Sequence, residues 1–355
     1  MSKHIERIAI FRALYLGDML LAVPALRSIR AGFPDAEITL IGLPWAADFA
    51  RRFSHYIDRF VEFAGYPGIA EVEADPVRTR RFLEDQRTYG YDLVIQMHGN
   101  GQTSNPFVLD LKGRMTAGYY EKTEKSSRAR LTFGMPYPDR WPEVLRNLGL
   151  AKLLGCDSNS TALEFPLLQE DHIAATKLLR KLLRAHRPWI GLHTGSRSPS
   201  RRWPARYFAQ VADYFANRYN AQIILTGSLD DSSTVQEVAG CTKAQPLNLA
   251  GKTSMGGLAA LISKLDLFIS NDTGPSHIAN AVDTPSLTIF GPADPGRWSA
   301  LDKARHPIVR KPVECSPCGY WECPIDHRCL EWLKPEAVIG AAEKLLMRGE
   351  VACNA

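Results

Sequence analysis

The sequence predicts an α/β chain of two similar parts, each a parallel sheet with helices on both faces. Three observations carry that prediction. Short apolar runs of strand length alternate with longer amphipathic segments, the pattern of strands joined by crossover helices. The alternation breaks at a charged stretch, "QEDHIAATKLLRKLLRAHRP" (169–188), and restarts with a new strand. The chain has 355 residues, more than one hydrophobic core ordinarily holds. The expected division is 1–165, 166–334, and a closing helical stretch over 335–355.

In chain order, the first half offers "RIAIF" (7–11), "EITLIGL" (37–43) and "YDLVIQM" (91–97) as strands. The second half offers "PWIGLHT" (188–194), "AQIILTG" (221–227), "DLFIS" (266–270) and "SLTIF" (286–290). Between them, Met19, Ala22, Val23, Leu26 and Ile29 share one helical face, as do Tyr207, Val211, Tyr214 and Phe215. Pro24 lies too deep in the first helical pattern for an ordinary start, so it must kink that helix or split off its first turn. The last pattern, "PEAVIGAAEKLLMRG" (335–349), follows the second sheet and is free to pack back on the first domain.

Composition narrows the function classes. Hydrophobic residues make up 45% and charged residues 23%, as in a soluble globular protein. A net charge of +5 is too small for an obligate nucleic-acid binder, but it suits an anionic substrate or an anionic membrane surface. Two basic runs, "RTRR" (78–81) and "KTEKSSRAR" (122–130), fall in the first half and fit contact with acidic headgroups as well as plain solvation. No apolar stretch approaches the ~18 residues of a membrane span, and the N-terminus lacks a secretory layout. The expected location is the cytoplasm, with peripheral contact at a membrane face open.

In open α/β sheets ligands bind beyond the carboxyl ends of the strands, so the loops there are the candidate sites. "SNDTGPSHIANAV" (270–282) follows a strand at once. Thr273 or Gly274 can cap the next helix and Pro275 suits its first turn, so free N–H groups and the positive dipole end face a phosphate. Asp272 and His277 flank that start. "HTGSRSPSRRWP" (193–204) combines Gly195 and Ser196 with Arg197, Arg201 and Arg202, cations suited to phosphate oxygens. "TGSLDDSST" (226–234) carries Asp230 and Asp231, which fit a ribose contact, a divalent ion or a helix cap. "HGNGQTSN" (98–105) fits an acceptor site or a plain turn. Neither GxGxxG nor GxxxxGK[ST] occurs in these loops, which argues against a nicotinamide enzyme and a P-loop NTPase. At 15–30, "YLGDMLLAVPALRSIR" places Asp18 at the mouth of a helix, as a cap or as a base.

Taken in order, "LYLGDMLLAVPALRSIRAGFPDAEITLI", "YDLVIQMHGNG", "SRRWP" and "ISNDTGPSHIANAV…TPSLTIFGPADPGRW" resemble glycosyltransferase family nine, the ADP-heptose:lipopolysaccharide heptosyltransferases. The resemblance runs along nearly the whole chain. It implies the GT-B type of α/β fold: two Rossmann-like domains with parallel sheets facing a central cleft, the first for the acceptor and the second for the nucleotide sugar. It implies Asp18 as the catalytic base, Ser196, Arg201, Asp272, Thr273, Gly274 and His277 on the donor diphosphate and sugar, and Asp231 and Thr253 toward the nucleoside. Gly17, His98 and Asn100 fall on the acceptor side. Arg201 stands where the family commonly has lysine in a K-x-W-P element, so a planar fork replaces a point cation.

The implied reaction is inverting transfer of a heptose from ADP-heptose to a hydroxyl of the lipopolysaccharide inner core, without a required cofactor or catalytic metal and without a nucleic-acid partner. Asp18 would deprotonate the attacking hydroxyl, a modest base held ionised by the helix dipole. A relative with another nucleotide sugar or acceptor, and a module that binds a nucleotide sugar without transferring it, remain open. Four cysteines, Cys315, Cys318, Cys323 and Cys329, with His327 beside them, fit either a structural metal or packed reduced thiols.

Overall fold

The computed structural model describes residues 5–122, 130–157, 160–180, 182 and 187–353; most of the basic run 122–130 lies outside them. The chain divides into two units, Met1–Ala162 and Leu163–Ala355. Among the described residues each unit holds one six-stranded sheet in which every pairing is parallel.

In the first unit β1 (Arg7–Phe11), β2 (Glu37–Gly42), β3 (Arg59–Glu62), β4 (Leu93–Gln96), β5 (Met115–Tyr120) and β6 (Phe133–Pro136) lie in the order 3-2-1-4-5-6. In the second, β7 (Trp189–His193), β8 (Gln222–Thr226), β9 (Leu247–Asn248), β10 (Leu267–Asn271), β11 (Ser286–Phe290) and β12 (Ile308–Arg310) lie in the order 9-8-7-10-11-12. The two orders are the same doubly wound topology. Each has its switch point where the first strand meets the fourth: β1 beside β4, with Ile8 opposite Leu93, and β7 beside β10, with Ile190 opposite Leu267. Ligands of such sheets bind at that point.

Burial explains which strands the sequence announces. The residues of β7, β8, β10 and β11 are buried on both faces, as in a sheet covered by helices, and read as continuous apolar runs. Strands β3, β6 and β12 are only half buried and β9 has two residues, so none gives an apolar run. Strand β5, "MTAGYY", is hidden by its glycine: a Cβ on Gly118 would sit 2.9 Å from Gln96 Cβ on β4.

Pro24 does split the first helical pattern. Helix α1 (Leu16–Leu20) ends and α2 (Val23–Gly32) restarts with the proline in its first turn, where a missing N–H costs nothing. Met19, Ala22, Val23, Leu26 and Ile29 are all buried. Tyr207, Val211 and Phe215 join the second unit's core, and Tyr214 packs on it while its hydroxyl donates to Glu343 at 2.7 Å. The C-terminal helix, Pro335–Cys353, presents Val338, Ala342, Leu345 and Leu346 to that same core. Its neighbours there are the helix Ala205–Tyr219 and strands β10 to β12. Among the described residues no helix is long and apolar enough to cross a membrane.

Candidate active site

The first unit gathers its candidates around the β1/β4 switch point. Tyr15, not Asp18, holds the N-cap position of α1, and Asp18 lies inside the first turn, partly exposed. The cap alternative for Asp18 therefore falls. Gly17 precedes it, and its carbonyl accepts from Leu21 N–H at 3.0 Å.

Beyond β4 the chain enters the loop 97–103. His98 is buried, its ring stacked on Phe11 at 5.0 Å and its Nε2 3.5 Å from Glu71 Oε2. Its carbonyl accepts from Ser104 Oγ at 2.6 Å. Asn100 donates its amide to Glu121, and its Oδ1 accepts from Gln102 N–H at 3.1 Å. Gly101 takes φ +92°, where a Cβ would meet Tyr119 O at 2.1 Å, so only glycine lets this loop lie so close to β5.

Sequence reasoning passed over Arg12, which joins these two loops. It follows β1 directly and is 2% exposed. Its Nε and Nη2 donate to the carbonyl of Asp18 at 3.1 and 2.7 Å, and Nη1 donates to the carbonyl of Met97 at the end of β4. Nη1 also reaches Asn147 Oδ1 at 3.2 Å, and Nη2 lies 3.5 Å from Glu143 Oε1. The available signal was a cation set immediately after the buried run "RIAIF".

The second unit gathers its candidates around the β7/β10 switch point. Helix Gly274–Ala281 has Thr273 as N-cap and Pro275 in its first turn, with no side-chain cap. Gly274 and the following turn thus begin at the strand end, where the helix dipole favours an anion. Arg201, in the short turn Pro199–Arg201, places Nη1 3.2 Å from Asp272 Oδ2. Asp272 is 3% exposed, while the arginine side chain keeps 38% of its surface in solvent. The buried carboxylate therefore anchors a fork that still presents donors outward. His277 is buried beside this pair. Burial, with the Arg201 charge added, pushes its pKa down to about 4, so the imidazole is neutral at pH 7. Arg201, Asp272, Thr273, Gly274 and His277 thus form one group.

Ser196 lies next to them, 4% exposed, its carbonyl accepting from Arg202 Nε at 2.9 Å. Arg202 is thereby committed to the loop, and Arg197 lies over the Trp321 ring at 5.8 Å. Asn271, also unanticipated, staples the loop: its Nδ2 donates to Thr194 O at 2.8 Å and its Oδ1 accepts from Trp203 N–H at 3.1 Å.

Asp231 takes the N-cap position of the helix Ser232–Cys241, the cap among the roles its loop offers. It is 7% exposed, and its Oδ2 accepts from Ser228 N–H at 2.9 Å and Ser228 Oγ at 2.6 Å. A Cβ on Gly195 would fall 2.1 Å from its Cγ. This carboxylate also packs under the 194–202 loop as a support. Thr253 is half-buried just before the helix Met255–Ile262, whose cap is Ser254, accepting from Gly257 N–H at 3.1 Å.

The cysteine segment buttresses the arginine loop. Ser200 N–H donates to Trp321 O at 3.1 Å, Ser200 Oγ to Tyr320 O at 2.7 Å, and Ser198 Oγ to Trp321 O at 2.9 Å. His327 Nε2 donates to Ser200 O at 2.6 Å. Cys315, Cys318, Cys323 and Cys329 line one cavity of about 20 Å³ with His327. Burial and the neighbouring thiols push the Cys329 pKa up to about 11. Among the described residues no three His, Cys, Asp or Glu side chains form a group that could hold a metal, so a structural metal here is not supported.

The family model described as glycosyltransferase family 9 (heptosyltransferase) matches residues 79–328. A lipooligosaccharide heptosyltransferase 2 from Campylobacter jejuni subsp. jejuni serotype O:2 is 34% identical, over 96% of this chain and 98% of its own. The structure of Escherichia coli ADP-heptose lipopolysaccharide heptosyltransferase II superposes with a TM-score of 0.75 at 20% identity, covering 98% of this chain and 100% of that one. A family 9 glycosyltransferase from Veillonella parvula superposes at 0.80 and 23% identity, over 98% and 99%. With that family model over most of its length and a relative at 34% identity, the chain belongs to glycosyltransferase family 9, the heptosyltransferases.

Proposed function

We propose that this glycosyltransferase moves a heptose from ADP-heptose to a hydroxyl of a lipopolysaccharide core acceptor, with inversion at the anomeric carbon. The observation that carries the reading is the group Arg201, Asp272 and His277 at the start of helix Gly274–Ala281, in a chain 34% identical to a lipooligosaccharide heptosyltransferase.

The acceptor hydroxyl is a poor nucleophile at pH 7. Asp18 takes its proton as it attacks the anomeric carbon from the face opposite the leaving group. The anomeric bond to ADP breaks and the diphosphate gains charge. Arg201, fixed by Asp272, and the free N–H of Gly274 meet that charge, which is where a fixed positive group lowers a barrier most. Ser196 lines the same loop. Neutral His277 offers an N–H or a lone pair to the diphosphate or the sugar without adding a net charge. The first unit takes the acceptor, with His98 and Asn100 in the loop after β4, and the second takes the donor, with Thr253 toward the nucleoside. Because the displacement is single, no sugar–enzyme bond forms.

The acceptor's lipid directs the enzyme to the cytoplasmic face of a membrane. Exposed Arg80 and Arg81 on the helix Pro76–Tyr89 support peripheral contact with anionic headgroups. The test is incubation with ADP-heptose and a panel of truncated lipopolysaccharide cores, with products read by mass spectrometry and NMR. Transfer of one heptose with inverted configuration is expected. Consumption of another nucleotide sugar in preference to ADP-heptose, or retention of configuration, would overturn the assignment.

A further inference from the structure

Helix α1 is too short to hold itself in place. Five residues lie far below the ~12–15 at which an isolated helix becomes even marginal. It has no side-chain N-cap, and α2 leaves it after Leu21 and Ala22. Its carbonyls, however, are held from below. The Arg12 fork donates twice to Asp18 O, and Asn147 Nδ2 donates to Leu21 O at 3.1 Å. The same fork donates to Met97 O on the neighbouring strand and to Asn147 Oδ1. Beyond it stands a buried relay. Glu143 lies 3.5 Å from Arg12 and 3.2 Å from Arg146, Arg146 donates to the Tyr137 hydroxyl, and the Tyr119 hydroxyl donates to Arg146 O at 2.5 Å. Arg12, Glu143, Arg146 and Asn147 are each 5% exposed or less. A buried charge of this kind needs several well-placed partners, and Arg12 has them in a carbonyl of α1, a carbonyl just past β4 and the Asn147 amide.

We propose that Arg12 is a positioning residue for Asp18: its guanidinium bridges the ends of β1 and β4 and, with Asn147, sets the carbonyls of the short helix that carries the base. Only a planar fork donates to Asp18 O, Met97 O and Asn147 at once; an ammonium on a flexible stem cannot span them. The proposal rests on the reading of Asp18 as base.

The test compares Arg12→Lys, Asp18→Asn, their double variant and Asn147→Ser, with ADP-heptose and a heptose-deficient lipopolysaccharide as substrates. A displaced catalytic group costs on the order of 10²-fold, so Arg12→Lys should lower kcat by ~10–100-fold with the donor KM within about twofold. Asn147→Ser, which keeps Arg12, should lower kcat by a smaller factor, roughly 3–10-fold, and keeps the test alive if the lysine variant does not fold. The double variant should be no slower than Asp18→Asn alone, because Arg12 acts only through Asp18. Near-normal turnover of Asp18→Asn would sink the base assignment itself. An inactive Asp18→Asn beside a fully active Arg12→Lys and Asn147→Ser would overturn only the positioning role. So would a double variant whose losses multiply, which would mark Arg12 as a merely structural support.

Discussion

Gly195→Ala tests whether the donor loop rests on a buried carboxylate. The new Cβ would lie 2.1 Å from Asp231 Cγ, 2.3 Å from Oδ1 and 2.4 Å from Oδ2, far inside contact distance. Asp231 cannot turn aside freely, because Ser228 donates to it through both N–H and hydroxyl. Moving it sacrifices two hydrogen bonds to a buried charge, each worth ~1.5–3 kcal/mol; if the loop moves instead, overpacking costs ~1–3 kcal/mol. The smaller route gives about 1–3 kcal/mol. For a folding unit of this size that lowers Tm by roughly 2–12 °C. The loop also carries Ser196 and Arg201, so the donor KM should rise several-fold. Thermal unfolding and initial-rate kinetics of ADP release measure both. The decisive arm is a double-mutant cycle: in an Asp231→Ala background the alanine at 195 meets no carboxylate, and its cost should fall below ~1 kcal/mol. A Gly195→Ala protein with unchanged Tm and donor KM would refute the reasoning. Full additivity in the cycle would do the same.

Three further outcomes follow from the same geometry. Asp18→Asn should fold normally, with Tm within ~1–2 °C because Tyr15 holds the N-cap position, yet lose ~10²–10⁴-fold in kcat; paired thermal and kinetic assays check it. Arg201→Ala removes a charge-assisted contact worth ~1.5–3 kcal/mol, so the donor KM should rise by about 10–100-fold while the acceptor KM holds. Buried His193, His277 and His306 each have pKa values pushed down to about 4, chiefly by burial, against an ordinary value of 6.5. The unfolded chain therefore binds more protons between pH 6.5 and 4. Stability is full above 6.5 and declines as pH falls toward 4, by up to about 3 kcal/mol per histidine. Urea unfolding midpoints at pH 7.5, 6 and 5 should fall in that order, and a flat series would contradict the burial of these rings.

The elements that carry the candidate site were legible because their signals are local. Thr273, Gly274 and Pro275 announce a helix start on their own, and Pro24 announces a break. Strands β1 and β11 match their apolar runs at both ends, since fully covered strands need such runs. What escaped reading is non-local. Arg12 looks like any surface cation until carbonyls 6 and 85 residues away close around it. That Asp231, beside its legible cap position, also packs under Gly195 depends likewise on a contact distant in sequence. Strand β5 pairs inside its sheet with a sequence whose glycine makes room for Gln96 and removes the apolar signal.

With Asp18 as the proposed base and Arg201 as the proposed diphosphate ligand, the two switch points solve one problem by opposite means. Each must hold a strand-end loop still without spending the group that does the chemistry. In the first unit that group is an acid, and the staple beneath it is a cation: Arg12 stabilises the carbonyl end of the turn while leaving the side chain of Asp18 at the surface, partly exposed. In the second unit the working group is a cation, and the staple is a neutral amide. Asn271 donates to the loop carbonyls without placing a second buried positive charge beside Arg201. Such a charge would leave Asp272 pairing with two competing cations and would loosen the arginine from the geometry it needs. Exchanging the staple types, as in Asn271→Lys, should therefore damage donor binding more than its effect on Tm predicts, because the added charge competes for Asp272.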